Sequence, residues 1–205
     1  MVFENIIQWN FLNKPIGKLF RFTGLIAATL FYIISLLSIH YNSWFIFTEH
    51  AFSDLGGPEA QKPGIYNWGM IALGVLILLY SFTLIQDATN KAETIGGAFI
   101  FIAGIFLALI GIYPSGTQPH SFVSSWFFTQ AELAMLAWGI GLMLNDWKNF
   151  GKVILILGIF GPIGAAVIQW PSVASIEAYG IVIIDIWVVL LLKVQATRLT
   201  SHSTT

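Results

Sequence analysis

The sequence predicts an all-α, polytopic integral membrane protein: a bundle of six transmembrane helices with both termini on the cytoplasmic side of the cell membrane. Three observations predict it. Hydrophobic residues make up 57% of the 205 and charged residues only 9%, whereas soluble domains carry about 25% charged residues. Six apolar runs are each long enough to cross about 30 Å of hydrocarbon at about 1.5 Å per residue. Eight of the nine Lys and Arg residues fall on one side once those runs are read as spans, which is the positive-inside pattern.

The runs lie at 19–41, 66–86, 94–114, 122–145, 152–170 and 174–194. Tyr41, Trp44, Tyr66, Trp68, Tyr113, Trp147, Trp170 and Tyr179 sit near their ends, as expected of an aromatic belt at headgroup depth. With six spans, Lys14, Lys18, Arg21, Lys91, Lys148, Lys152, Lys193 and Arg198 share one side, and Lys62 alone lies on the other. Five or seven spans would scatter these charges. Residues 1–18 are expected to form an arm or interfacial helix, with Phe3, Ile6, Ile7, Phe11 and Leu12 at roughly helical spacing. The Ser/Thr-rich tail 196–205 is expected to be disordered. MVFENIIQWNF lacks the basic start of a signal peptide, so the mature chain is expected to begin at or near Met1.

The connections are unequal. The cytoplasmic ones, QDATNKAE and DWKNFG, are short. The first external connection, NSWFIFTEHAFSDLGGPEAQKPGIY, is long enough to be functional or to carry its own structure. Its aromatic half, WFIFTEHAF, is expected to lie in the interface as a short helix, and GGPEAQKPG is turn chemistry. Gly97, Gly104 and Gly111 repeat every seven residues in the third run, a small-residue face that lets a neighbouring backbone approach. Pro162 is expected to kink the fifth. No internal repeat of the kind common in transporters is visible.

Composition excludes several functions. Without cysteine there is no disulfide, thiolate nucleophile or cysteine-ligated metal. A net charge of −1 argues against a nucleic-acid partner, which needs a basic patch. No Gly-rich loop is placed to cradle a phosphate.

Polar side chains with chemical potential gather on the external side: His40, Glu49, His50, Ser53 and Asp54, then Ser115, Thr117, Gln118, His120 and Ser121, then Ser172, Ser175 and Glu177. On a helix His50 and Asp54 would share a face at i, i+4. That spacing suits a divalent metal, with His120 or His40 as a further ligand and an open position for water. Ser53 could instead be a nucleophile with a histidine base. The plainer reading is that Ser53 and Asp54 cap a helix or brace the loop. Glu132 and Asp185 fall about 15 Å down their spans. An acid there must face protein or water, as a proton relay, as the floor of a polar cavity, or as packing glue bonded to Gln130, Tyr80 or Ser81.

SDLGG at 53–57, Asn67 opening the second run, GIYP at 111–114 and the following His120 carry a resemblance. Together they resemble the six-span prokaryotic family known as domain of unknown function 998, over roughly residues 19–195. That family shows a Ser-x-Leu-Gly element after its first span, an Asn near the start of the second, and a Gly-x-Phe-Pro element with a nearby His after the third. Tyr113 stands here where Phe is usual. The Ser-Asp-x-Gly element followed by Pro58 and Glu59 is also distantly similar to the DRAM and Sfk group of six-span proteins, which are associated with membrane lipids. The residue types are weakly similar to the CREST intramembrane hydrolases, but the His-x-x-x-His pair is absent, so zinc chemistry does not carry over. The resemblance implies a six-helix membrane protein with a polar extracytoplasmic pocket and no established reaction.

The first functional expectation is therefore a protein that binds or processes a lipid head group. Its pocket would be built from Ser53, Asp54, Asn67, His120 and Glu177, with His50 at the rim. Ser53, Asp54 and His120 would be the catalytic candidates, and His50, Asp54 and His120 the metal candidates. The alternative is a non-catalytic subunit or stabiliser of a larger membrane complex, using the aromatic loop and the Gly97/Gly104/Gly111 face as contacts. A third reading is a proton-coupled transporter using Glu132 and Asp185.

Overall fold

The computed structural model describes residues 19–202. The expectations for residues 1–18 and 203–205 lie outside the described residues. Six long helices follow the apolar runs: α1 (Thr23–Tyr41), α2 (Gly64–Asp87), α3 (Lys91–Ile112), α4 (His120–Met143), α5 (Lys148–Val167) and α6 (Val173–His202), with a short 3₁₀ helix at Phe52–Gly56 between α1 and α2. No strand occurs among the described residues. Helices α1, α2, α3, α4 and α5 pack each against the next, while α6 closes the bundle more loosely against α5, α1 and α4.

Five of the helices are long and apolar enough to cross a membrane. Helix α4 falls short in composition because Ser121, Ser124, Ser125, Thr129, Gln130 and Glu132 crowd its first half. The outer surface is what lipid requires: Leu36, Phe160 and Val167 are 67%, 60% and 70% exposed, a cost that only an apolar solvent removes. Two buried cores fill the interior. One, around Leu55, Tyr66, Met70, Leu73 and Ile110, lies towards the long loop. The other, around Trp138, Leu142, Trp187, Leu191 and Val194, lies towards the opposite end.

That opposite end carries Arg21, Lys91, Lys148, Lys152, Lys193 and Arg198 and is called the basic end below. A polar network that the sequence reading missed holds it together. Glu93 is fully buried (0% exposed). It accepts from Arg198 Nη1 and Nη2 at 3.0 and 2.9 Å, from the Thr89 amide at 2.8 Å and from Asn145 at 3.2 Å. Asp87 accepts a forked pair from Arg21 at 2.9 and 2.7 Å and a third bond from Gln195 at 2.8 Å. Two carboxylates, each answered by a guanidinium and by further donors, can be buried because their charges are paired. The sequence clue was Asn90-Lys91-Ala92-Glu93, an N-cap with a Glu at N3: the Asn90 side chain caps α3 by accepting from the Glu93 amide at 3.1 Å.

Over 196–202 this network replaces the expected disordered tail with helix. Helix α6 continues to His202, because Val194 and Gln195 are buried and Arg198 is anchored on Glu93 and on the Asp87 carbonyl. The glycine stripe of α3 also has a definite partner. A Cβ on Gly104 would meet the Gly74 carbonyl and Leu78 of α2 at 3.0 Å, and one on Gly97 would meet Ile85 of α2 at 2.6 Å. The stripe is an internal α2–α3 seam and is not free for a partner chain. Helix α5 runs through Pro162.

Candidate site beneath the long loop

The loop after α1 is pinned at both ends by Asn42. Fully buried, it donates to the Ser38 and Gln61 carbonyls at 2.8 and 3.1 Å, and accepts from the Gln61 amide and the Trp44 indole at 2.6 and 3.1 Å. Lys62 returns the chain in the left-handed region (φ 54°) with its ammonium over the Tyr41 ring at 3.8 Å. The aromatic half forms turns, not the expected interfacial helix. Phe45 stacks on Phe52, and Phe52 meets Phe31 of α1 edge-on. Three bonds then fasten the loop to the start of α6: Ser172 Oγ donates to the Phe47 carbonyl at 2.6 Å, the Ala174 amide to the His50 carbonyl at 2.8 Å, and the Phe52 amide to Glu177 Oε2 at 2.7 Å. The loop is thereby folded over the end of the bundle.

The motif residues meet there, and most of them brace. Asp54 Oδ2 accepts the Ala51 amide at 2.9 Å, closing the start of the 3₁₀ helix. Its Oδ1 accepts from Ser115 Oγ at 2.8 Å, tying the helix to the α3–α4 connection. Asn67 donates to the Gly56 carbonyl at 3.0 Å. Any side chain at Gly56 would collide with Asn67, and any at Gly111 with the Asn67 backbone, which is why glycine stands at both places. His120 Nδ1 donates to the Tyr113 carbonyl at 2.8 Å, holding the turn before α4. The SDLGG, Asn67, GIYP and His120 elements are thus one interlocked brace across two connections, α1–α2 and α3–α4.

His50 precedes the 3₁₀ helix, so the expected i, i+4 face with Asp54 does not form. Its Nδ1 instead accepts the Ile46 amide at 2.9 Å. His50, Asp54 and His120 are each committed to separate partners, His40 is exposed at the end of α1, and no group of three metal-ligating side chains occurs among the described residues.

Two of the expected site residues do reach an interior space. A cavity of about 100 Å³ runs between α1, α2, α3, α4 and α6 under the 3₁₀ helix, and Ser53 and Glu177 line its loop end. Ser53 is 7% exposed, and its hydroxyl makes no hydrogen bond among the described residues. Among the described residues Glu177 is held by the Phe52 amide through Oε2 alone, and Oε1 takes no bond. Asp185, two helical turns further on the same face of α6, lines the cavity at depth and accepts from Tyr32 of α1 at 2.6 Å. Tyr80 and Trp187 line it too, with hydroxyl and indole N–H buried without a partner among the described residues. The other lining groups are overwhelmingly apolar.

Glu132 does not share that space. It lines a separate groove of about 540 Å³ between α4, α5 and α6, with Ser125, Thr129 and Tyr179. Glu132 Oε1 is buried without a partner among the described residues, and the expected bonds to Gln130, Tyr80 or Ser81 are not made. Asp185 bonds Tyr32 rather than Glu132. Glu177, Ser124, Phe128 and Ile184 form the wall that both spaces share. Neither Tyr32 nor Ser124 carried any signal in the sequence, since their roles depend on what α6 presents to them.

The fold and this site define a multi-pass helical membrane protein with an internal, mostly apolar cavity capped by a braced loop. A family model described as "Protein of unknown function (DUF998)" matches residues 25–193, and the chain belongs to that family. No curated protein and no solved structure matches the chain.

Proposed function

We propose that this protein binds a membrane amphipath, with the polar head under the 3₁₀ helix and the hydrocarbon chain in the central cavity. One observation carries the reading: Ser53 and Glu177 stand with unused hydrogen-bonding capacity at one end of a space otherwise walled by apolar side chains. Ligand pockets have this character, mostly apolar with a few placed polar groups. In this reading Asp54, Asn67, His120 and His50 hold the loop in position and do not touch the ligand. All six helices cross the bilayer, α4 included, because its polar first half turns Ser124 and Glu132 towards internal spaces rather than lipid. The basic end faces the cytoplasm, by the positive-inside rule.

Native mass spectrometry of protein released gently from its own membrane tests this. The expected species is the 22.7 kDa chain carrying one defined adduct, depleted about tenfold in Ser53→Leu, a loss of about 1.4 kcal/mol. A bare chain, or adducts that merely mirror bulk lipid and persist in Ser53→Leu, would sink the reading.

A further inference from the structure

The charge of the ligand can be read from the cavity wall. The lining contains two carboxylates, Glu177 and Asp185, and no Lys, Arg or His. They stand eight residues apart on one helix, about 12 Å at about 1.5 Å per residue. Both have hydrogen-bond donors, the Phe52 amide and the Tyr32 hydroxyl, but neither has a cation among the described residues. At the basic end the buried carboxylates do have one: Glu93 has Arg198 and Asp87 has Arg21. The two acids of the basic end are thus ion-paired, whereas the acids that line the two spaces, Glu177, Asp185 and Glu132, have no counter-charge among the described residues. Ser53, 7% exposed and unpaired, adds a polar group at the same end. A phosphate brought into this wall would meet carboxylate and no guanidinium or ammonium, which is repulsive at low dielectric. An ammonium would supply the missing charge.

We infer that the central cavity is a binding site for an amphipath whose inserted head is cationic, an alkyl ammonium in the simplest case, with Glu177 as its counter-ion and Ser53 as a supporting hydrogen-bond partner. This rests on the amphipath reading above and narrows it to a charge class. The site selects against anionic heads, and neutral heads of equal chain length rank between the two.

The test titrates the full-length protein in neutral detergent with dodecylamine, dodecanol and dodecyl phosphate. The expected order is amine, alcohol, phosphate, with amine at least about tenfold tighter than phosphate. Glu177→Gln is expected to bring the amine down to the level of the alcohol measured on the same variant. Should that variant fail to fold, Asp185→Asn, whose amide oxygen can still accept from Tyr32, serves as the second probe of the same preference. Phosphate binding as tight as amine, or an amine preference that survives both neutralised variants, overturns the charge class and leaves the amphipath reading standing. Saturable binding of none of the three overturns the amphipath reading itself.

Discussion

Arg198 reaches back 105 residues to close a two-pronged ion pair on Glu93, with bonds of 3.0 and 2.9 Å. The carboxylate is completely buried, and the guanidinium also lies over the Trp138 ring at 6.0 Å. The last turns of α6 are thereby locked to the start of α3, and Gln195 adds a second tie to Asp87 at the end of α2.

Removing Arg198 would leave Glu93 buried without its cation. Breaking a buried pair from one side costs about 3–5 kcal/mol, so Arg198→Ala is expected to lower the thermal midpoint in detergent sharply. Arg198→Lys should recover only part, because an ammonium cannot make the fork. An Arg198→Ala protein with the wild-type midpoint would show that the pair contributes nothing to the fold.

The brace around Asp54 makes a different prediction from a catalytic or metal role. Asp54→Ala loses both the Ala51 amide bond and the Ser115 bond, a change expected to cost about 1–2 kcal/mol, as for a lost helix cap. His120→Ala, which frees the Tyr113 carbonyl, should cost about 1 kcal/mol. Neither should change the preference among dodecyl probes, since neither side chain lines the cavity. The measurement is stability and probe selectivity on the same preparations. A selectivity change with stability intact would return these residues to the ligand site.

The α2–α3 seam predicts a contrast between two glycines of one helix. A Cβ on Gly74 would press on the Gly104 carbonyl at 2.6 Å and on Ala108 at 2.7 Å, whereas one on Gly64 meets nothing nearer than Trp68 at 3.6 Å. Gly74→Ala is expected to destabilise by about 1–3 kcal/mol through overpacking. Gly64→Ala should be neutral or gain up to about 1 kcal/mol through reduced chain entropy. Equal midpoints for the two variants would argue that the helices are not packed this closely.

Much of the architecture was legible because hydrophobicity and helix length are local properties. The six apolar runs became six helices whose ends fall within four residues of the expected ones, except at the end of α6. Ser53 and Glu177 were also legible as polar groups beside the loop end of the bundle, and both line the cavity there. Their neighbours Asp54, Asn67 and His120 were equally conspicuous in the sequence but face backbone groups of the connections and, for Asp54, the Ser115 hydroxyl. Which way a polar side chain turns depends on whether an unpaired amide or carbonyl lies within about 3 Å, and that is settled by other segments. The pairing of Glu93 with Arg198 was invisible for the same reason. The first was read as part of a short loop and the second as part of a tail.

By itself, the sequence determined that this chain forms long apolar helices, that its basic residues collect at one end, and that its polar candidates cluster near the other. These follow from sums over neighbouring residues, which no distant contact can change. Only the tertiary structure decided which acids are paired, which polar groups brace and which face a cavity, and that Glu132 and Asp185 belong to different spaces. A buried polar group is stable only with its partners in place, and in a helical bundle those partners come from segments far apart in the chain.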